Sequence, residues 1–407
     1  MAELVITNAR LLDGRLVNLG ISGGRYETIA TEAIRGEQVI DADGGLVTET
    51  FVNGHLHLDK VHTLQLAGEG ALGAYTGADM GAAMRSIVTD ASAVKKHYDR
   101  EWIMPNVRKV LDQAVVNGVL QLQAFVDVDT TAGLEGMHAV LAVREEYRDL
   151  LDLQVVAFPQ DGVLRDPGAA QLCEQAIELG ADVVGGIPWI ELTDADARAH
   201  IDWACALAAR TGKRVVMLVD DAGDASLRTT AMLAESMIEH SLTGRGVACH
   251  ARAVGLYPVP SQLRLVDLAR KAGLGFISDP HTGPLHLPVR QFYDDDLAVG
   301  LGQDDIEDAY YPFGRNNMLE VAFLGAHLLE FRTAADQLAL LDLVTTRAAR
   351  VLGFTDHRIA EGNPANLCVH RAVSVRDLLT EHERPAVVLR RGRPVARSEN
   401  SSTVLRP

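Results

Sequence analysis

Cysteine is scarce: Cys173, Cys205, Cys249 and Cys368 are the only four in 407 residues, and no two form a C-x-x-C pair. That excludes zinc ribbons and a disulfide framework, and it fits a reducing compartment. Basic residues are also short, 38 against 55 acidic, for a formal charge of -17. A surface of that sign repels phosphate backbones and anionic lipid, and no local basic patch compensates. No apolar run approaches the ~18 residues that span a bilayer. The opening MAELVITNAR has no basic stretch followed by an apolar core, so no signal peptide is read. What is present is ordinary globular material, 47% apolar and 23% charged, enough for a full core. The expectation is a soluble cytoplasmic homo-oligomer with a small-molecule partner, and neither nucleic acid nor membrane. A prior of about 150 residues per domain allows two or three domains, or one large domain with an appendage.

The N-terminal stretch reads as strands: LVITNARLLD and LVNLGISGGRYETIA alternate apolar and polar residues, with Gly23-Gly24 as a two-residue hairpin turn. From about residue 46, short apolar runs alternate with stretches of helical period. The runs cover 46–57, 120–128, 153–160, 183–188, 214–221, 246–251, 275–280 and 297–305. Helices are predicted over 101–117, 133–149, 193–211, 225–242 and 258–272, then 315–331 and 334–353. Eight strands with intervening helices imply a closed α/β barrel. Between Arg290 and Leu297 stand only six residues, too few for a crossover helix of the usual ten or so, so none is expected there. ANLCVHRA and AVVLRRGRPVA return to strand-like pattern and resemble the opening segments in kind.

In such a barrel, function sits at the carboxyl ends of the strands. The polar residues that close the runs are His55, His57, Asp127, Gln160, Asp220, Asp221, His250, Asp279 and Asp304. A single polar strand end merely meets water; nine on one rim suggest a site. His55-Leu56-His57 is the sharpest motif. Side chains two apart on a strand point the same way, so both imidazoles can ligate one divalent cation, although exposed loop histidines also occur in this pattern.

TETFVNGHLHLDK, VVAFPQDGVL, LGADVVGGIP, GQDDIEDAYYPFGRNNML and IAEGNPANL, in that order, resemble the cytosine deaminase branch of the amidohydrolase superfamily. The resemblance runs to about residue 370. It implies a distorted TIM (β/α)8 barrel over 49–358, with a small β-sandwich from 1–48 and 359–407. It also implies hydrolysis or deamination at a C–N bond of a small cyclic nitrogen compound of the pyrimidine, triazine or cyclic amidine class. One divalent ion, Zn or Fe, would activate the water. By position, His55, His57 and Asp304 match metal ligands, and Asp304 also matches a proton acceptor. His250 matches the histidine that hydrogen-bonds the nucleophile, and Asp221 the catalytic carboxylate that carries the proton. Gln160 matches a substrate-reading glutamine, an amide that can donate and accept at once.

The chain also departs from that pattern. Leu218 stands where a metal-binding histidine is expected, Asp221 where a longer glutamate is, and Phe125 where the second-strand segment has a histidine. Leucine cannot bind a cation, so the ion would be held weakly or not at all. Three readings follow: an ion on His55, His57 and Asp304; a metal-free site using Asp/His acid–base chemistry for a step such as elimination, isomerisation or cyclisation; or a non-catalytic small-molecule binder.

Other features carry two readings each. Lys60 holds a substrate anion or pairs with Asp59. Trp189 and Tyr310, with Tyr311, stack on a planar ring or pack the loop. His281 and His286 line the pocket or are loop histidines. The rim loops 62–100, 281–296 and 306–314 shape the pocket. Gly20–Gly24 fits G-x-S-x-G but lies in a hairpin, which rules out a nucleophile elbow. Asp294-Asp295-Asp296 reads as a solvated acidic loop, and Asn400-Ser401-Ser402 as an idle sequon.

Overall fold

The computed structural model describes residues 1–67, 72, 93–400 and 403–404. Most of the expected rim loop 62–100 and part of the sequon at Asn400 lie outside the described residues. The chain opens with β1 (Ala2–Arg10), β2 (Leu16–Ser22), β3 (Arg25–Ala30) and β4 (Gly36–Asp41), arranged β3-β2-β1-β4. Gly23 and Gly24 turn the β2–β3 hairpin at φ 56° and 73°, values that favour glycine. β4 was not anticipated; it pairs parallel with β1. β5 (Val47–Glu49) leaves this sheet, and after Thr50 the chain enters the barrel.

The barrel consists of β6 (Phe51–His57), β7 (Val119–Asp127), β8 (Asp152–Phe158), β9 (Val183–Gly186), β10 (Arg214–Val219), β11 (Gly246–His250), β12 (Gly275–Ser278) and β13 (Val299–Leu301). Each is parallel to the next, in sequence order. Nearly every residue is buried, as strands covered on both faces require. Alternation sorts them. Val52, Phe125, Val156, Val183, Val216, Val247 and Ile277 fill the interior, while neighbours such as Ala124 and Val126 meet the outer helices.

β13 and β6 close the ring just beyond β13. His57 N–H donates to Asp304 C=O (2.9 Å), and Asp304 N–H to His55 C=O (2.9 Å). Asn53 clasps this seam: its Oδ1 accepts from Gln303 N (3.0 Å) and His55 N (3.2 Å), and its Nδ2 donates to Asn316 Oδ1 (3.0 Å). Gly302 permits the close approach; a Cβ there would stand 2.3 Å from Asp279 Oδ1 and 2.8 Å from His55 Cβ.

Two helix expectations need correction. A crossover helix does stand before β13, six residues long (Val289–Asp294) and entered from Pro288, whose fixed φ starts the turn. The helix expected over 334–353 is two, Ala334–Leu343 and Thr346–Leu352. Val344 C=O between them accepts the N–H of Val52 (2.8 Å), which turns the second helix beneath the barrel. There Ala348, Ala349, Val351 and Leu352 floor the interior.

After the barrel, β14 (Leu367–Val369), β15 (Val387–Arg390) and β16 (Arg393–Arg397) extend β5 into an antiparallel sheet ordered β16-β15-β14-β5. AVVLRRGRPVA is thus a hairpin, turned at Arg391-Gly392 (φ 46° and 73°). Side chains of both terminal sheets share one core that includes Ile6, Leu19, Tyr26, Leu367 and Leu389. No helix among the described residues is long and apolar enough to cross a membrane.

Candidate active site

The end of β6 brings His55 and His57 to the barrel mouth, both buried, with ring centroids 5.0 Å apart and edge to face. Asp304 arrives through the closing seam, and His250 at the end of β11. Three imidazoles surround one oxygen. Asp304 Oδ1 lies 3.0 Å from His55 Nε2, 3.8 Å from His57 Nε2 and 3.9 Å from His250 Nε2. Its other oxygen accepts from Thr282 Oγ1 (2.7 Å). Asp304 and His250 both hold left-handed backbones, at φ 65° and 64°. Such conformations are uncommon outside glycine and here aim both side chains inward.

Charge is distributed unevenly. Burial alone would raise the Asp304 carboxyl, but His250, His55 and His57 hold it well below the usual range. Burial drives His57 and His250 well below the usual imidazole value, which leaves neutral rings with lone pairs. Burial, with Asp304 beside it, pushes Asp279 well up. Asp221 is raised to about 6 by burial, against the pull of Arg252.

Arg252 was not anticipated. It stands two residues beyond His250, and that spacing was the available signal. The buried guanidinium donates to Asp221 Oδ1 (2.5 Å), His250 Nδ1 (3.1 Å), Thr282 Oγ1 (3.0 Å) and Thr282 C=O. Guanidinium only donates, so His250 Nδ1 accepts and the neutral ring carries its proton on Nε2, facing Asp304. Asp221 is thereby fixed in an ion pair on the cavity wall.

The cavity at the barrel mouth has a volume of about 30 Å³ and is lined by residues that include His57, Gln160, Leu218, Asp221, His250 and Tyr310. The other substrate candidates stand farther back. Lys60 pairs with Asp127 and bonds Gln160; Asp59 instead accepts from Tyr98 and the Asp127 N–H. Trp189 packs into the barrel interior. His281 Nε2 bonds Gln303 C=O (2.9 Å), and burial lowers its pKa to about 4. His286 lies in a separate groove beside Pro288 and Leu329. Asp305 lines the cavity and was missed as a separate participant beside Asp304.

Nδ1 of His55 and Nδ1 of His57 make no hydrogen bond among the described residues, and His55 Nε2 meets only the Asp304 carboxylate, at 3.0 Å. Orphaned buried nitrogens beside a carboxylate fit a divalent ion of the zinc or iron class. Two sets of possible ligand atoms each lie within 4.8 Å of one another: His55, His250 and Asp304, and His57, Asp304 and Asp305. Asp304 belongs to both. The proton on His250 Nε2 suits that residue to donate to a ligand rather than to bind the ion. Leu218, apolar and buried, forms part of the wall.

A family model described as the amidohydrolase family matches residues 38–396. The chain belongs to the amidohydrolase family. It is a hydrolase of carbon–nitrogen bonds other than peptide bonds. This amidohydrolase is 28% identical to N-isopropylammelide isopropyl amidohydrolase of Pseudomonas sp. (strain ADP), over 98% of each chain. It is 26% identical to pterin deaminase of Rhizobium rhizogenes (strain K84 / ATCC BAA-868), over 88% of this chain and 82% of that one. The solved 5-methylcytosine deaminase from Klebsiella pneumoniae, liganded with 5-fluorocytosine, is 31% identical. It superposes with a TM-score of 0.89 over 98% of this chain and 99% of that one.

Proposed function

We propose that this amidohydrolase hydrolyses a C–N bond in a small cyclic nitrogen compound of the pyrimidine, triazine or cyclic amidine class. A divalent ion, zinc or iron, would be held by His55, His57 and Asp304. The relatives named for an isopropylammelide, a pterin and 5-methylcytosine support that ring class. The observation that carries the reading is the single Asp304 oxygen ringed by three buried imidazoles, beside a small cavity with an ionisable Asp221 on its wall.

When bound, the ion supplies activation of water, whose pKa of 15.7 in bulk falls towards ~7 on such a centre. The chain's own groups do the rest. His250 Nε2–H donates to charge that develops as the water oxygen bonds the ring carbon. Asp304 or Asp221 takes the water proton, and Asp221 returns one to the departing nitrogen as the C–N bond breaks. A carboxyl near 6 populates both forms close to neutral pH. Arg252 holds Asp221 within reach.

Elemental analysis of the purified protein, with and without His55→Ala, tests the reading. Stoichiometric metal, lost together with turnover in the variant, is expected. Full turnover in metal-stripped protein would replace the ion by acid–base chemistry on Asp221 and Asp304. Leu218→His should tighten metal binding by about tenfold, by adding one imidazole ligand. We also propose a cytoplasmic homo-oligomer, which light scattering and cell fractionation check.

A further inference from the structure

In sequence, Gln160 can present either end of its amide to a ligand. The fold removes the choice. Lys60 lies just beyond β6 and reaches Gln160 from behind the cavity wall. Its ammonium carries three protons, and three oxygens meet it: Asp127 Oδ1 and Oδ2 at 3.0 Å each, and Gln160 Oε1 at 2.8 Å. Burial alone would favour neutral Lys60, but Asp127 and Asp59 more than offset it. An ammonium donates and never accepts, so the end of Gln160 that faces it is the oxygen. A flipped amide would set N–H against N–H. Among the described residues nothing takes the Nε2 protons, and Gln160 borders the cavity beside Tyr310 and Leu218.

We propose that Lys60 makes Gln160 a donor-only reader, so that the bound ring turns a carbonyl oxygen towards Gln160 Nε2. A ring that offers N–H at that edge opposes donor to donor and is rejected. Lys60 is a positioning residue: its protons are used on Asp127 and Gln160, and it acts on the ligand through the amide. This deepens the proposed function and rests on it for the ring class.

Two probe pairs, each differing by one oxo-to-amino exchange, test the polarity: cytosine against 2,4-diaminopyrimidine, and ammeline against melamine. Affinities are measured by calorimetry on the full chain, and turnover is measured separately. The wild type should bind each oxo probe about tenfold or more tighter than its amino partner. Lys60→Met alone strands Asp127, so the variant used is Lys60→Met with Asp127→Asn. There the amide is free to turn, and the preference should shrink to about threefold or less. Gln160→Glu keeps the pairing with Lys60 but offers only acceptors, so it should invert the preference; it decides the matter if the double variant does not fold. An unchanged preference in a folded double variant, an oxo preference that survives Gln160→Glu, or no binding of either oxo probe overturns the proposal. Preferential binding without hydrolysis of any ring removes the proposed reaction but leaves this role standing. Hydrolysis that is indifferent to Lys60 does the reverse.

Discussion

Asn53 joins the two edges of the barrel at the point where His55 and Asp304 meet, so its removal tests whether the site depends on that clasp. In Asn53→Ala, the His55 N–H loses its acceptor at 3.2 Å. Asn316 loses its partner as well, and its Nδ2 already has none among the described residues. Gln303 N–H loses the 3.0 Å bond to Asn53 but keeps His55 C=O at 3.2 Å. One orphaned N–H and one orphaned carbonyl, both buried, cost about 1–3 kcal/mol each, so the variant should lose roughly 2–6 kcal/mol. Asn53→Asp retains an acceptor for both N–H groups, and Asn316 can turn its amide to donate. Its loss should be less than half as large. Urea unfolding followed by far-UV circular dichroism measures both variants. Asn53→Ala within about 0.5 kcal/mol of wild type would show that water or backbone shifts close the seam, and the argument would be refuted.

Three further outcomes are expected. Arg252→Met strands buried Asp221 and should cost roughly 3–5 kcal/mol, whereas Arg252→Met with Asp221→Leu should recover most of it; equal losses in the two would deny the pairing. His370 is buried against Thr48 Oγ1 (3.0 Å), and burial lowers its pKa to about 3. The unfolded chain therefore binds a proton that the folded chain refuses. Stability is fully present above the unfolded value of ~6.5 and is lost as pH falls from there towards about 3, at about 1.4 kcal/mol per pH unit. Between about pH 7 and about pH 5, His370→Gln should lose about 2 kcal/mol less than wild type in chemical unfolding; parallel curves would contradict this. Gly302→Ala forces a methyl against Asp279 and His55 and should depress turnover more than stability, as paired kinetic and unfolding measurements would show.

The sequence was sufficient for the barrel because its strands are near-continuous apolar runs separated by helical periods, and burial on both faces writes that pattern directly into composition. It also placed His55, His57, Gln160, Asp221, His250 and Asp304 at the barrel mouth, because each closes such a run. The same reading missed the short helix Val289–Asp294, whose six residues hold too little periodicity to register. It also merged Ala334–Leu343 with Thr346–Leu352, because the break is made by a bond from Val344 to a strand far away in the chain.

What only the tertiary structure decided is how those groups address one another. That Asp304 turns one oxygen to three imidazoles depends on the Asn53 seam and on the absence of a side chain at Gly302. That Arg252, two residues from His250, turns back to set its tautomer, and that Lys60 sets the direction of the Gln160 amide 100 residues away, follows from the fold rather than from spacing alone. Strand-end polarity is a one-dimensional property of the chain. Donor and acceptor direction belongs to pairs brought together in space.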